Sequence, residues 1–83
     1  MEEPEIRGIY EHFKGGRYEV IQVGKTDADN PERILVTYKQ LYQSKDFSIG
    51  TIHVRNLEKF VDIVQKKLPN GTEYTGPRFK LIS

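Results

Sequence analysis

The sequence predicts a mainly β fold with one helix, built as a small, strongly bent antiparallel sheet or a partly open barrel of SH3-like size. Three observations support this class. Runs of β-branched and aromatic residues alternate with turn sequences, one short apolar stripe has helical spacing, and 83 residues, 36% of them hydrophobic, supply one small core. So few elements cannot cover both faces of a flat sheet, and the sheet must therefore bend or lean on the helix. A two-layer α+β sandwich is the alternative.

The chain divides into a short acidic start and one domain. Residues 1–7 contain three glutamates and a proline, and they offer little apolar surface to offset the entropy lost on ordering. We therefore expect a flexible acidic N-terminal tail over 1–7 and a single small β-rich domain over 8–83.

The first two strands are predicted to form a β-hairpin. Alternation along the first strand places Tyr10, His12 and Lys14 on one side, which we expect to be the exposed side. Gly15 and Gly16 supply the positive φ of a tight turn. The β-rich segment 17–23 follows and completes the hairpin.

Two further strands are expected in the middle of the chain. Segment 24–33 predicts a surface loop, because its Asp, Asn and Pro residues favour turns. The β-branched and aromatic run 34–38 is typical of a central strand. Over 49–55, Ile52 and Val54 alternate with polar residues, which indicates a half-exposed strand.

One apolar stripe has the i, i+3, i+4, i+7 spacing of a helix about two turns long, at Leu57, Phe60, Val61 and Val64. Asn56 is suited to cap the start of this helix, and Lys66 and Lys67 are placed near its negative end. The stripe is expected to cover the sheet. A last strand is predicted over 78–82.

Composition excludes several classes of protein. The absence of cysteine excludes disulfide-stapled miniproteins, zinc ribbons and thiol enzymes. A net charge of +1 is too balanced for the broad cationic surface of a duplex nucleic-acid binder. No stretch resembles a membrane span of about 20 apolar residues, and the acidic start is unlike a secretory signal. We therefore expect a cytoplasmic protein with no membrane partner, no cofactor and no metal site.

Four blocks of the sequence carry a resemblance to a known family. Residues Tyr10 to Tyr18 are similar to its opening signature Tyr-x-His-Phe-Lys-Gly-x-x-Tyr. Blocks at 38–42, 53–60 and 77–79 are similar to its Tyr-x-x-Leu-Tyr, its Trp-Val-Arg-Pro-Leu-x-x-Phe and its closing Pro-Arg-Phe. The chain thus resembles, over nearly its whole length, a small family of uncharacterised bacterial domains. The resemblance implies a compact accessory module and no reaction.

The sequence departs from this family pattern at three places. His53 stands where the family has tryptophan, and Asn56 stands where it has proline. Segment 25–29 lacks the histidine of the family's loop after the second strand. The first departure argues against a shared catalytic histidine, and the third against any site that uses that loop.

The candidate functional residues are aromatic or basic. Tyr10, His12 and Lys14 share one strand face and can form a platform that stacks bases or grips an extended peptide. The other candidates for this platform are Tyr18, Tyr42, His53, Arg55 and Arg78. Tyrosines are more often half-buried core residues, and Arg55 or Arg78 can instead form a structural pair with Glu58 or Glu11.

Three functions follow as hypotheses. The first is a non-enzymatic interaction or ligand-binding module that uses the platform to recognise a protein segment or a second copy of the chain. The second is weak single-stranded nucleic-acid binding by the same platform. The third, ranked last, is an enzyme with a histidine-assisted site, which requires a carboxylate within hydrogen-bond reach of His12 or His53. The sequence contains no complete catalytic motif, so no reaction follows from it.

Overall fold

The computed structural model describes residues 3–24, 29 and 33–83. Its elements, in chain order, are β1 (Ile9–His12), β2 (Arg17–Gly24), β3 (Leu35–Gln40), β4 (Ile52–Asn56), α1 (Leu57–Phe60), β5 (Ile63–Lys67), β6 (Glu73–Pro77) and β7 (Phe79–Leu81). Five strands form an antiparallel sheet in the order β4-β3-β2-β1-β7, and β5 and β6 form a separate pair. The predicted mainly β fold with one helix is confirmed, and the sheet stays open instead of closing into a barrel.

The hairpin of β1 and β2 has the predicted turn. Gly15 and Gly16 adopt φ values of 97° and 91°, in the left-handed region that glycine enters at little cost. Farther along β2 the register with β3 shifts between Val20 and Gln22, which indicates a β-bulge. A bulge increases the local twist of a sheet.

The core lies between the inner face of the five-stranded sheet and α1. Val20 and Val36 are fully buried at the centre of the sheet, and Phe60 of α1 stacks on Phe79 of β7 with ring centroids 4.2 Å apart. The rings of Tyr10 and Phe60 are also in edge-to-face contact, at 5.4 Å between centroids. Aromatic rings therefore supply most of the contact between the helix and the sheet.

The predicted two-turn helix is wrong in length. Helical structure ends at Phe60, and Val64, the last residue of the predicted stripe, is buried as part of β5 instead. The backbone N–H of Arg78 donates to the carbonyl of Asp62, and β5 then pairs with β6 from Ile63 onwards. Strand pairing of the β-branched Ile63 and Val64 thus prevails over the helical spacing. Lys66 and Lys67 consequently lie in β5 and not at a helix end.

The expected exposure of Tyr10 is also wrong. Tyr10 is 8% exposed, because its side of β1 faces the core. On β4 the polar side is likewise the inner one: His53 and Arg55 are half-buried, whereas Ile52 and Val54 are 54% and 58% exposed. Alternation had separated the two faces of each strand correctly, but it contains no information on which face turns inward.

The start of the chain makes contacts with the domain. Pro4 is buried, the backbone N–H of Glu5 donates to the Tyr10 hydroxyl, and the backbone N–H of Arg7 donates to the carbonyl of Val20. The division into a flexible tail over 1–7 and a domain over 8–83 stays a prediction. Most of the loop predicted over 24–33, including positions 25–28, lies outside the described residues.

In the described part of the chain, α1 is far too short to cross a membrane, and no other helix there has the required length.

Candidate functional site

A concave pocket of about 410 Å³ opens on the inner face of the sheet, beside the core. Its walls come from β1 and the β1–β2 turn, from β2, β3, β4 and β7, and from the segment 41–51 that joins β3 to β4. Six of the eight candidate residues line it: His12, Lys14, Tyr18, Tyr42, His53 and Arg55. β1 and β4 are not neighbours in the sheet, yet both histidines line the same pocket.

The two remaining candidates lie elsewhere. Tyr10 belongs to the core. Arg78 is bound to Asp62: its Nε donates to Oδ1 at 2.8 Å and its Nη2 donates to Oδ2 at 3.1 Å. This two-point pair lowers the pKa of the Asp62 carboxyl and raises that of Arg78. The structural role considered for Arg78 therefore holds, with Asp62 as its partner in place of Glu58 or Glu11.

Tyr38, which the sequence also allows in the platform, lines the pocket as well. The pocket residues that the sequence did not indicate are Gly15, Gln40, Ser44, Asp46, Phe47 and Phe79. Tyr38, Gln40 and the core residue Val36 occupy alternate positions of β3, so all three share its inner face. That alternation was the available signal for Gln40. Ser44, Asp46 and Phe47 belong to an irregular segment whose position depends on tertiary contacts, and no periodic pattern indicated them.

Aromatic rings form one wall of the pocket. His53 stacks on Tyr38 with ring centroids 5.4 Å apart. The rings of Phe47 and His53 are in edge-to-face contact, with centroids 5.0 Å apart. Tyr18 contacts Tyr38 edge-to-face at 5.3 Å. Edge-to-face and offset contacts are the preferred geometries of aromatic pairs. The rings therefore hold one another in place before any ligand arrives.

Gln40 fixes the segment 41–51 over the pocket. It is 1% exposed, and its amide Nε2 donates to the carbonyls of Tyr42 at 2.9 Å and Phe47 at 3.1 Å. Because these acceptors orient the amide, its Oε1 faces His53 and accepts a hydrogen bond of 3.0 Å from the ring Nε2. One buried side chain thus positions both the segment and the histidine.

A tyrosine pair closes the side of the pocket next to the hairpin turn. The hydroxyls of Tyr18 and Tyr42 are 2.8 Å apart and share a hydrogen bond. The Tyr42 ring lies directly on Gly16, where an added Cβ would come within 2.5 Å of the ring. Glycine at this position therefore serves both the turn and the packing of Tyr42. Burial raises the pKa of Tyr18, so its hydroxyl stays protonated at neutral pH.

His12 lies where the pocket meets the turn. Its Nδ1 accepts a hydrogen bond of 3.1 Å from the backbone N–H of Lys14. Burial, together with the positive charges of Arg55, Arg78 and Lys14, lowers the pKa of His12 from 6.5 to about 4. The ring is therefore neutral at pH 7. With Nδ1 accepting, its proton is on Nε2.

This environment of His12 predicts a pH-dependent stability. The unfolded chain binds a proton at His12 below pH 6.5, whereas the folded chain does so only near pH 4. The contribution of neutral His12 to the free energy of unfolding is therefore fully present above pH 6.5, and it is lost as the pH falls towards 4. We expect His12→Gln to remove about 1–3 kcal/mol of this pH dependence. Urea unfolding of both proteins across this range measures it, and parallel pH profiles would contradict it.

Arg55 lies on the inner face of β4 and reaches across the aromatic wall. Its Nε donates to the Tyr38 hydroxyl at 3.2 Å, and its Cζ is 5.6 Å from the centroid of Phe79. The guanidinium thus lies within cation–π distance of an aromatic ring, a contact that arginine often makes. The structural pairing considered for Arg55 is not seen, since none of the ion pairs formed by the described residues includes it.

The described contacts do not build an acid–base pair. His12 Nδ1 bonds to a backbone N–H and His53 Nε2 to the amide of Gln40, so neither of these hydrogen bonds goes to a carboxylate. Within residues 3–24, 29 and 33–83, no group of three or more histidine, aspartate and glutamate side chains is arranged to hold a metal ion.

A second concavity, of about 770 Å³, lies between the start of the chain and α1. Its floor is formed by Tyr10, Phe60 and Phe79, which are almost entirely buried, and Glu3 and Glu5 lie at its exposed rim. It contains none of the oriented polar groups that mark the smaller pocket. The pocket of about 410 Å³ is the candidate site because it gathers six of the eight candidate residues, whereas a further concavity of about 660 Å³ beside β6 includes only His12 and Lys14 of them.

Comparisons with known proteins agree with the fold and assign no activity. A family model described as a protein of unknown function, DUF1653, matches residues 8–81. The crystal structure of a DUF1653 protein from Bordetella bronchiseptica superposes with a TM-score of 0.66 and 25% sequence identity, covering 93% of this chain and 86% of that one. A search of curated proteins found no match. The expected resemblance to a domain of unknown function is confirmed, and the chain belongs to the DUF1653 family.

Proposed function

We propose that this chain is a non-enzymatic ligand-binding module whose aromatic pocket takes up one small planar group. The observation that carries the proposal is the convergence of six aromatic or basic candidates on a single concavity next to the core. Binding pockets are typically concave, rich in apolar and aromatic surface, and equipped with a few oriented polar groups. Here Gln40 and the Tyr18–Tyr42 pair orient such groups.

The size of the pocket favours a single group over a polymer. At about 410 Å³ it lies near the lower end of the range of ligand sites, which is roughly 300–1,000 Å³. An extended peptide or a second copy of the chain would need a long open strand face, but Tyr10 and Val20 on the inner face of β1 and β2 are covered by the core. A nucleic-acid strand would need a row of open ring faces, whereas these rings pack against one another.

Phe47 offers the most accessible ring of the pocket and is the residue with which to test this proposal. It is 49% exposed and contacts His53 edge-on, so one side of the ring is available to a ligand. We expect small planar compounds, detected in an NMR screen of the whole chain, to shift pocket amides. Phe47→Ala should weaken their binding by about 3- to 10-fold, since one aromatic contact contributes about 0.5–1.5 kcal/mol.

Val54→Ala is the matched control, because Val54 lies on the opposite face of the neighbouring β4 and is exposed. This variant should bind the same compounds with unchanged affinity. The proposal would be wrong if the screen yielded no saturable binder, or if the binders shifted amides outside the pocket and bound Phe47→Ala as tightly as the unaltered chain.

A further inference from the structure

The guanidinium of Arg55 is half-buried in the pocket and forms no salt bridge with the described carboxylates. Its orientation is fixed by Tyr38 and Phe79, and because its Nε is used by Tyr38, the two terminal nitrogens remain for other partners. Among the residues that the structure describes, no carboxylate lies within salt-bridge distance of them. A cation that is partly removed from water loses solvation free energy, and an anion bound against it compensates for that loss.

The nearby carboxylates do not fill this role. Both oxygens of Asp62 are bound by Arg78. Glu19 pairs with Lys39 and Arg7. Asp46 lines the pocket but is exposed and forms no ion pair with Arg55. The interior of the pocket therefore has an excess of positive charge, which adds to burial in lowering the pKa of His12.

Two further donors belong to the same pocket. The neutral ring of His12 carries its proton on Nε2, since Nδ1 accepts from the backbone of Lys14. The bond between the Tyr18 and Tyr42 hydroxyls uses only one of their two hydrogens, which leaves the second to donate to a ligand. The pocket therefore combines a guanidinium fork with an imidazole N–H and a phenolic O–H.

We propose that the planar ligand of this pocket carries an oxyanion, a carboxylate or a phosphate, which accepts hydrogen bonds from the terminal nitrogens of Arg55. His12 Nε2 and the Tyr18–Tyr42 pair supply the additional donors. This inference rests on the proposed function and adds the chemical class of the ligand. Arginine suits this role because its planar fork matches two oxygens of a carboxylate or phosphate group.

The test is a titration of the full chain, followed by NMR, with four compounds: inorganic phosphate, adenosine, adenosine monophosphate and benzoate. We expect inorganic phosphate to give saturable shifts of the Arg55 Nε–H and His12 ring signals. At least one of the two planar anions should also bind at the pocket. If phosphate is the natural group, adenosine monophosphate should bind about tenfold more tightly than adenosine. If a carboxylate is the natural group, benzoate should bind more tightly than adenosine monophosphate.

Substitution of Arg55 identifies the residue responsible. Arg55→Gln should weaken binding of the anionic compounds by about tenfold and leave adenosine binding nearly unchanged. Arg17→Gln removes the same charge from an exposed residue paired with Glu11, and it should change neither affinity. A thermal unfolding curve of each variant establishes that it is folded.

Asp46→Asn provides a second variant that does not disturb the aromatic wall. Removing this carboxylate from the rim should strengthen anion binding by about 2- to 3-fold, because a like charge is lost. Unchanged or weaker binding by Asp46→Asn would contradict the inference. So would an absence of saturable phosphate shifts in the unaltered chain, or equal anion affinity in Arg55→Gln. If adenosine still bound at the pocket in those cases, the inference that the ligand carries an oxyanion would be wrong. The proposal that the chain is a ligand-binding module would remain supported.

Discussion

Replacing Gln40 with leucine should lower the free energy of unfolding by about 2–4 kcal/mol and release the segment 41–51 from the pocket. Leucine approximates the volume of glutamine, so the main loss is of hydrogen bonds and not of packing. The carbonyl of Tyr42 would lose its donor, and His53 Nε2 would lose its acceptor. The carbonyl of Phe47 would lose one donor and keep the backbone N–H and the hydroxyl of Ser44. Polar groups that are left unpaired in a partly buried site account for most of the expected cost.

Gln22→Leu is the control for this prediction. Gln22 carries the same side chain on β2 but is exposed, so its replacement should change stability by no more than about 0.5 kcal/mol. Urea unfolding gives both values, and NMR shifts of the amides in 41–51 report the loosening of the segment. Equal unfolding midpoints for the two variants would show that Gln40 does not hold this segment in place.

The strands of the five-stranded sheet were predictable because their signals are local, whereas β5 and β6 were not predicted. Gly15 and Gly16 adopt the positive φ expected of the hairpin turn, and the β-branched run at 34–38 supplies most of β3. The end of α1 was not predictable in this way. It depends on the pairing of β5 with β6 and on the bond from Arg78 to Asp62, and the helical spacing of the apolar residues gives no sign of either contact.

The candidate site was predictable in composition but not in orientation. Aromatic and basic residues at alternate positions of each strand included Tyr18, His53 and Arg55. Alternate positions share one face of the sheet, and these three residues line the pocket. Alternation did not reveal that this face turns inward. Tyr10 therefore lies in the core, although it was predicted to be exposed. The role of Gln40 depends on a loop that folds back on it, and the sequence carries no periodic signal for such a loop.

The packing of α1 on the sheet predicts a second large loss of stability, on removal of the Phe60 ring. A helix of four residues has no stability of its own, since helix nucleation is unfavourable and short helices are not stable in water. Phe60 compensates for this: it is 1% exposed, stacks on Phe79 and contacts the rings of Tyr10 and Tyr38 edge-on. We expect Phe60→Ala to lower the free energy of unfolding by about 3–5 kcal/mol, through lost burial and the cavity that remains.

For a domain with few residues, a loss of this size removes much of the total stability, which is about 5–15 kcal/mol in typical domains. Phe60→Ala should therefore unfold at a markedly lower temperature, or be largely unfolded at 37 °C. Phe47→Ala removes the same side chain from an exposed position and should cost about 1 kcal/mol or less. Calorimetric unfolding of the two variants separates the outcomes. Similar transitions would mean that the sheet is stable without the helix, and that the pocket beside it is held by the sheet and the segment 41–51 alone.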